Sequence, residues 1–100
     1  MEDFQGFQWD KGNSSKNLIK HDVTDGECEE IFFNAPLLFF SDEKHSDFEV
    51  RLAAFGLTNS GRTLTVVFTV RERLIRIISA RDLNRMEREF YKKNEKDPKI

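Results

Sequence analysis

The sequence predicts a mixed α+β domain: an antiparallel sheet of about five strands, two helices near the N-terminus and one at the C-terminus. Three observations carry this. Leu64, Val66, Phe68 and Val70 alternate with Thr63, Thr65, Val67 and Thr69, and Ile75 and Ile77 resume the apolar run beyond the charged turn Arg71-Glu72-Arg73. Such alternation is the two-residue period of a strand with one buried face. Thr24 stands three residues before Glu27, the spacing at which a helix N-terminus is capped reciprocally. Leu83, Met86 and Phe90 recur at three- and four-residue intervals near the end, as the buried face of a helix does.

Taken in order, Phe4-Gln5-Gly6-Phe7-Gln8-Trp9-Asp10 predicts a short strand, because aromatic side chains suit a half-buried pleated surface; Trp9 belongs to the core. Asp10, or Asn13-Ser14-Ser15 after it, caps a helix running to about His21, with Leu18 and Ile19 as its inward contacts. The second helix opens at Thr24 and runs to about Phe33, burying Cys28, Ile31 and Phe32, and Pro36 ends it. Leu37 to Phe40 form a strand, Ser41 to Phe48 a polar loop that holds His45, and Val50 to Leu57 a third strand. Asn59-Ser60-Gly61 is a turn of the kind that joins antiparallel strands. After the hairpin, the last helix spans about Arg81 to Asn94 and leaves Glu95 to Ile100 as a charged, fraying tail.

One hundred residues allow a single domain with a modest core. A charged fraction of 34% and a mean hydropathy of -0.60 exclude a membrane-spanning chain. The longest apolar run, Ile31 to Phe40, is broken by Asn34 and Pro36 and falls short of the roughly 20 residues a spanning helix needs. Met1-Glu2-Asp3-Phe4 lacks the positive region and apolar stretch of a secretion signal, so a cytoplasmic protein is expected. A lone Cys28 agrees with a reducing compartment and leaves no internal disulfide.

The net charge of -2 hides an asymmetry. Residues 1–50 carry four Lys and no Arg against twelve acids, a sum of -8, whereas residues 51–100 carry eight Arg and four Lys against six acids, a sum of +6. A pI near 5.7 argues against bulk binding of nucleic acid, yet a basic surface on one face still concentrates a polyanion. Neutralisation of one half by the other explains the same numbers.

Several stretches together carry a family resemblance. They are Phe7-Gln8-Trp9-Asp10; Lys16-Asn17-Leu18 with Lys20-His21; Glu29 and Phe32; His45-Ser46 ahead of Glu49-Val50-Arg51; Gly61-Arg62-Thr63-Leu64-Thr65-Val66-Val67; and Arg76-Ile77-Ile78-Ser79-Ala80-Arg81 with Glu87-Arg88 and Tyr91. In this order, over about residues 7–91, the chain resembles the BrnT toxins, the toxin half of bacterial type II toxin-antitoxin systems. The Arg-Ile-Ile-Ser-Ala-Arg run is the most specific piece. The resemblance implies a RelE-like fold, ribonuclease activity that arrests translation, an RNA substrate and neutralisation by a cognate DNA-binding antitoxin, with a dimer of such pairs. Through its motif pieces it also implies RNA contacts at Lys20, Arg62 and Tyr91. The chain departs from the family at Asp22, where Gly usually follows the Lys-His pair, and in the more acidic segment Thr24 to Glu30.

Metal-free RNA cleavage needs a base for the 2'-hydroxyl, a cation to hold the phosphate, and an acid for the leaving oxygen. Arginine suits the middle task, since its planar fork binds phosphate through two hydrogen bonds and stays charged. Arg51, Arg76 and Arg81 are the candidates. Arg76 is the strongest, because alternation sets it on the sheet face opposite Ile75 and Ile77, where a guanidinium is costly unless it is paired or wet. Its structural explanation is an ion pair with Glu29 or Glu49. A cation at Arg81, read as a junction into the last helix, works against the helix dipole.

Histidine is the side chain whose unperturbed form titrates near neutral pH, so His21 and His45 each suit acid or base catalysis; as ordinary residues they are a helix C-terminal residue and a solvated loop side chain. Tyr91, off the apolar stripe, can stack on a base or donate to a phosphate, or else sits at the core's edge. His21, Cys28 and His45 lack the spacing of a zinc site, and five scattered glycines form no phosphate loop, so no metal or cofactor is expected. The competing function is a non-catalytic module whose basic face binds an acidic protein or nucleic acid.

Overall fold

The hairpin that the sequence places at its centre is the spine of a five-stranded sheet. A computed structural model describes residues 4–41 and 49–95. In chain order it has β1 (Gly6–Phe7), α1 (Lys16–His21), α2 (Asp25–Glu30), a 3-10 turn (Ile31–Phe33), β2 (Leu38–Ser41), β3 (Leu52–Leu57), β4 (Thr63–Arg71), β5 (Leu74–Asp82) and α3 (Arg85–Glu95). The strands lie in the order β1-β5-β4-β3-β2. β2 to β5 pair antiparallel as the alternation predicts, while β1 pairs parallel with β5, Gly6 beside Leu74 and Phe7 beside Ile75.

Register decides the two faces. Val66 pairs with Ala54 on one side and Ala80 on the other, Leu64 with Gly56, and Phe68 with Ile77. These residues form the buried core together with Val23, Cys28 and Ile31, so α2 and the 3-10 turn cover this face. Phe32 closes it, its ring edge-on to Phe68 at 5.2 Å. Gly56 is required here, because a Cβ at that position would lie 2.6 Å from the Ile31 Cβ. On the other face Phe55 stacks with Phe40 at 4.7 Å and meets Phe90 of α3 at 6.4 Å. Further along that face Thr69 pairs with Arg76. Between Val67 and Phe68 the register slips, leaving Ile78 as an extra residue on β5, a bulge of the sort that re-aims side chains beside functional sites.

The second helix carries the predicted capping box: Thr24 Oγ1 accepts from the Glu27 amide and Glu27 accepts from the Thr24 amide, both at 3.0 Å. α1 differs from expectation. Leu18 and Ile19 are exposed and Asn17 is the buried residue. The reason is the neighbour: β1 stops after two residues, and the edge of β5 beyond it offers backbone polar groups that need hydrogen bonds rather than alkyl cover. Asn13 donates to the Ile77 carbonyl at 3.1 Å and to that of Gln8 at 2.9 Å, and Asn17 Oδ1 accepts from the Ala80 amide at 3.0 Å. Neither Asp10 nor a serine side chain caps α1. The Asp25 carboxylate of α2 does so from outside, accepting from the Ser14 hydroxyl and the Ser15 amide. Asp22, where the resemblance leads one to expect glycine, closes α1 with φ 57, a left-handed conformation that aspartate tolerates better than most residues.

α3 begins four residues later than predicted, because β5 stays paired to β4 as far as Asp82. Asn84 and Glu87 then bond reciprocally at 2.8 and 2.9 Å and start the helix. Its inward face is correspondingly rephased. Met86 is 78% exposed and Phe90 45%, whereas Leu83 and Tyr91 are buried. The tail beyond Glu95 and most of the loop at 41–48, with His45, lie outside the described residues.

Candidate functional site: a cationic hollow

β4 and β5 bring Arg71 and Arg76 onto the sheet face opposite the helical core, and the chain entering β3 adds Glu49 and Arg51 beside them. Gly12 in the turn before α1 and Lys16 at the start of α1 complete the wall, around a hollow of about 180 Å³. Thr69 holds the β3 side in place, its hydroxyl donating to the Val50 carbonyl at 2.9 Å.

Two fork-shaped ion pairs organise this hollow. Arg76 donates to both oxygens of Asp10 at 2.9 and 3.1 Å and reaches Gln8 Oε1 at 3.3 Å, with only 16% of its side chain exposed. Asp10 is itself fixed: its Oδ1 accepts from the Gly12 amide and its own amide donates to Asn13 Oδ1, each at 2.8 Å. The bond from Arg76, followed by that from Gly12, holds the Asp10 carboxyl below its ordinary value. Gly12 leaves room for the guanidinium, since a Cβ there would be 3.0 Å from Arg76 Nη2. Arg71 grips Glu49 in the same way, at 2.6 and 2.8 Å. Its hydrogen bond, with the charges of Arg71, Arg76 and Arg51, holds the Glu49 carboxyl below its ordinary value.

Of the residues picked out from the sequence, Arg51 and Arg76 therefore line one hollow. Arg76 does take a carboxylate partner, but it is Asp10; Glu29 instead accepts from the Trp9 indole at 2.7 Å, and Glu49 belongs to Arg71. Arg81 lies within β5, not at a helix junction, and pairs with Glu87 at 2.8 and 3.0 Å away from the hollow's lining. His21 ends α1 on the surface and does not line the hollow, nor does the exposed Lys20. His45 lies outside the described residues.

Two expected RNA contacts are turned inward. Arg62 bonds Asp82, Glu27 and the carbonyls of His21 and Asp22, tying both helices to the hairpin. These carboxylates raise its already high pKa further. Tyr91 is 4% exposed and donates its hydroxyl to the Pro36 carbonyl at 2.6 Å. Its apolar ring was more useful to the core than the misphased Met86.

Reading by residue type missed Lys16, Arg71 and Glu49. Arg71 looked like part of a solvated turn, and only its placement at the end of β4, two residues past Thr69, signals that it shares a face with Arg76. Cys28 offers no alternative nucleophile, because burial pushes its thiol up to about 12. Among the described residues no group of three or more His, Cys, Asp or Glu side chains is placed to hold a metal ion, and no helix is long and apolar enough to cross a membrane.

No curated protein matches the chain. Residues 9–87 match the family described as ribonuclease toxin, BrnT, of type II toxin-antitoxin system, a span that includes every residue lining the cationic hollow. The chain belongs to the BrnT family of ribonuclease toxins.

Proposed function

We propose that this protein is a metal-independent endoribonuclease toxin that inhibits translation by cutting RNA at the cationic hollow. The observation that carries the reading is the convergence of Lys16, Arg51, Arg71 and Arg76 from four separate stretches on one small concavity. A phosphodiester seated there meets fixed positive charge without a bound cation, and charge that builds on phosphorus in the transition state is stabilised by donors already in place. Arg76 contributes most: it is sheltered, permanently charged and forked, and a phosphate oxygen pair takes the place that the Asp10 carboxylate now fills. The 2'-hydroxyl attacks in line, the 5'-oxygen leaves, and a 2',3'-cyclic phosphate remains. Arg81, further along β5, guides the flanking backbone. By their chemistry alone, His21 and His45 are also candidates for proton transfer.

By family, a cognate antitoxin neutralises the chain. We assign that role to a small DNA-binding protein encoded beside it, which covers the basic face and assembles into a dimer of toxin-antitoxin pairs in the cytoplasm. Purified protein incubated with RNA in EDTA should yield fragments with 2',3'-cyclic ends, and Arg76→Ala should lower the rate by at least about tenfold, roughly 1.4 kcal/mol of barrier. Cleavage that needs a divalent ion, or that is indifferent to Arg76, rejects the mechanism.

One observation favours a second reading. Arg71 and Arg76 already have carboxylate partners, as the basic face of a purely binding module would. Salt-sensitive RNA binding without turnover anywhere between about pH 5 and 9 would establish that alternative.

A further inference from the structure

We propose that Glu49 is the catalytic base, the group that removes the proton from the attacking 2'-hydroxyl. The assignment rests on the reading of the hollow as the RNA cleavage site. The base must stand beside the phosphate, because the 2'-oxygen attacks the phosphorus next to it. Among the described residues that line the hollow, Glu49 is the one acid and none is a histidine. Asp10 is less suited: its Oδ1 already accepts from both Gly12 and Arg76, its Oδ2 from Arg76, and it is not part of the lining. Glu49 accepts one bond per oxygen, both from Arg71, so each oxygen keeps a lone pair for a hydroxyl.

The charges around Glu49 decide how it works. Arg71 on β4, Arg76 on β5, Arg51 at the start of β3, Lys16 on α1 and, farther off, the Asp10 carboxylate surround it. In the free protein the cations hold its carboxyl below the ordinary value. When a phosphodiester enters, the Arg76 fork turns toward the new anion, and a negative charge nearby makes the carboxylate more basic as it is needed. The step then balances. The O–H bond of the 2'-hydroxyl breaks and its proton passes to a Glu49 oxygen. The 2'-oxygen forms its bond to phosphorus as the bond from phosphorus to the 5'-oxygen breaks. Water protonates that leaving oxygen, and the resulting hydroxide recovers the proton from Glu49. Arg71 is a positioning residue in this scheme, aiming the carboxylate.

The test compares wild type, Glu49→Gln and Glu49→Asp on a short RNA, recording kcat and KM against pH, with thermal unfolding and affinity for the uncleavable 2'-deoxy oligonucleotide as controls. Glu49→Gln should lower kcat by about a hundredfold or more, leave KM and 2'-deoxy affinity within a few fold, and flatten the acid limb of the pH profile. Glu49→Asp should restore part of kcat together with that limb. If wild type cleaves but Glu49→Gln keeps its rate, or loses rate with the acid limb intact, Glu49 is not the base while the cleavage site stands. An acid limb that vanishes only in His21→Gln or His45→Gln moves the role to that histidine. Failure of wild type to cleave overturns the site reading and this assignment together.

Discussion

The Arg76 guanidinium holds the Asp10 carboxylate through two bonds, at 2.9 and 3.1 Å, and so joins the first part of β5 to the turn that follows β1. A lysine keeps the charge but not the fork. Arg76→Lys is expected to retain the salt dependence of RNA binding while cleavage falls by roughly tenfold or more. Gly12→Ala, which sets a methyl 3.0 Å from Nη2, should displace the same guanidinium and lower the rate severalfold. Single-turnover rates with RNA check both.

Arg62 and Tyr91 are ties within the fold. Replacing Arg62 by alanine removes the cation that Glu27 and Asp82 share and is expected to cost about 2 kcal/mol. Tyr91→Phe removes one buried bond to Pro36 and should cost about 1 kcal/mol. Urea unfolding of each variant measures these losses.

The β4–β5 hairpin turns through Glu72 and Arg73, which have φ values of 52 and 68. Two residues with positive φ suit Asn-Gly, and neither Glu nor Arg adopts that region cheaply. Changing the pair to Asn-Gly should therefore raise stability by about 1 kcal/mol, read as a higher denaturation midpoint with an unchanged slope.

Gly56→Ala makes the opposite case. Its methyl would sit 2.6 Å from the Ile31 Cβ, and parting β3 from the 3-10 turn should cost about 1 to 3 kcal/mol, visible as a lowered melting temperature.

Acid should weaken the fold through specific carboxylates. Glu27, Asp82 and Glu87 are held below their ordinary values, Glu27 first by the Thr24 amide, Asp82 by Arg62 and Glu87 by Arg81. A lowered folded-state value means stability that is present above the ordinary values of 4.5 for Glu and 3.8 for Asp and is lost as pH falls below them. Unfolding free energy should be level near neutrality and decline from about pH 4.5 downward. In Arg62→Ala that decline should be shallower.

Local signals made much of this fold legible. Period-two alternation in β4, the Thr24–Glu27 box and the turn at 59–61 are short-range features, and each element forms where its own residues direct. What escaped the sequence is set by distant partners. Leu18 and Ile19 fit an inward helix face, but the edge of β5 needed Asn17. The last helix was misphased because pairing with Leu64 extends β5 to Asp82. The hollow divides in the same way: Arg51 and Arg76 stood out by residue type, whereas Arg71, Lys16 and Glu49 qualify only through register and the path of the first turn.

Asn13 and Asn17 have a consequence for the molecule among its neighbours. A sheet margin with unused amides and carbonyls invites strands from other chains, the first step toward aggregation. Beyond the two residues of β1, these two side chains occupy the Ile77 carbonyl and the Ala80 amide on the margin of β5. An incoming strand would have to displace both side chains to pair along that stretch, so the margin is guarded without lengthening β1.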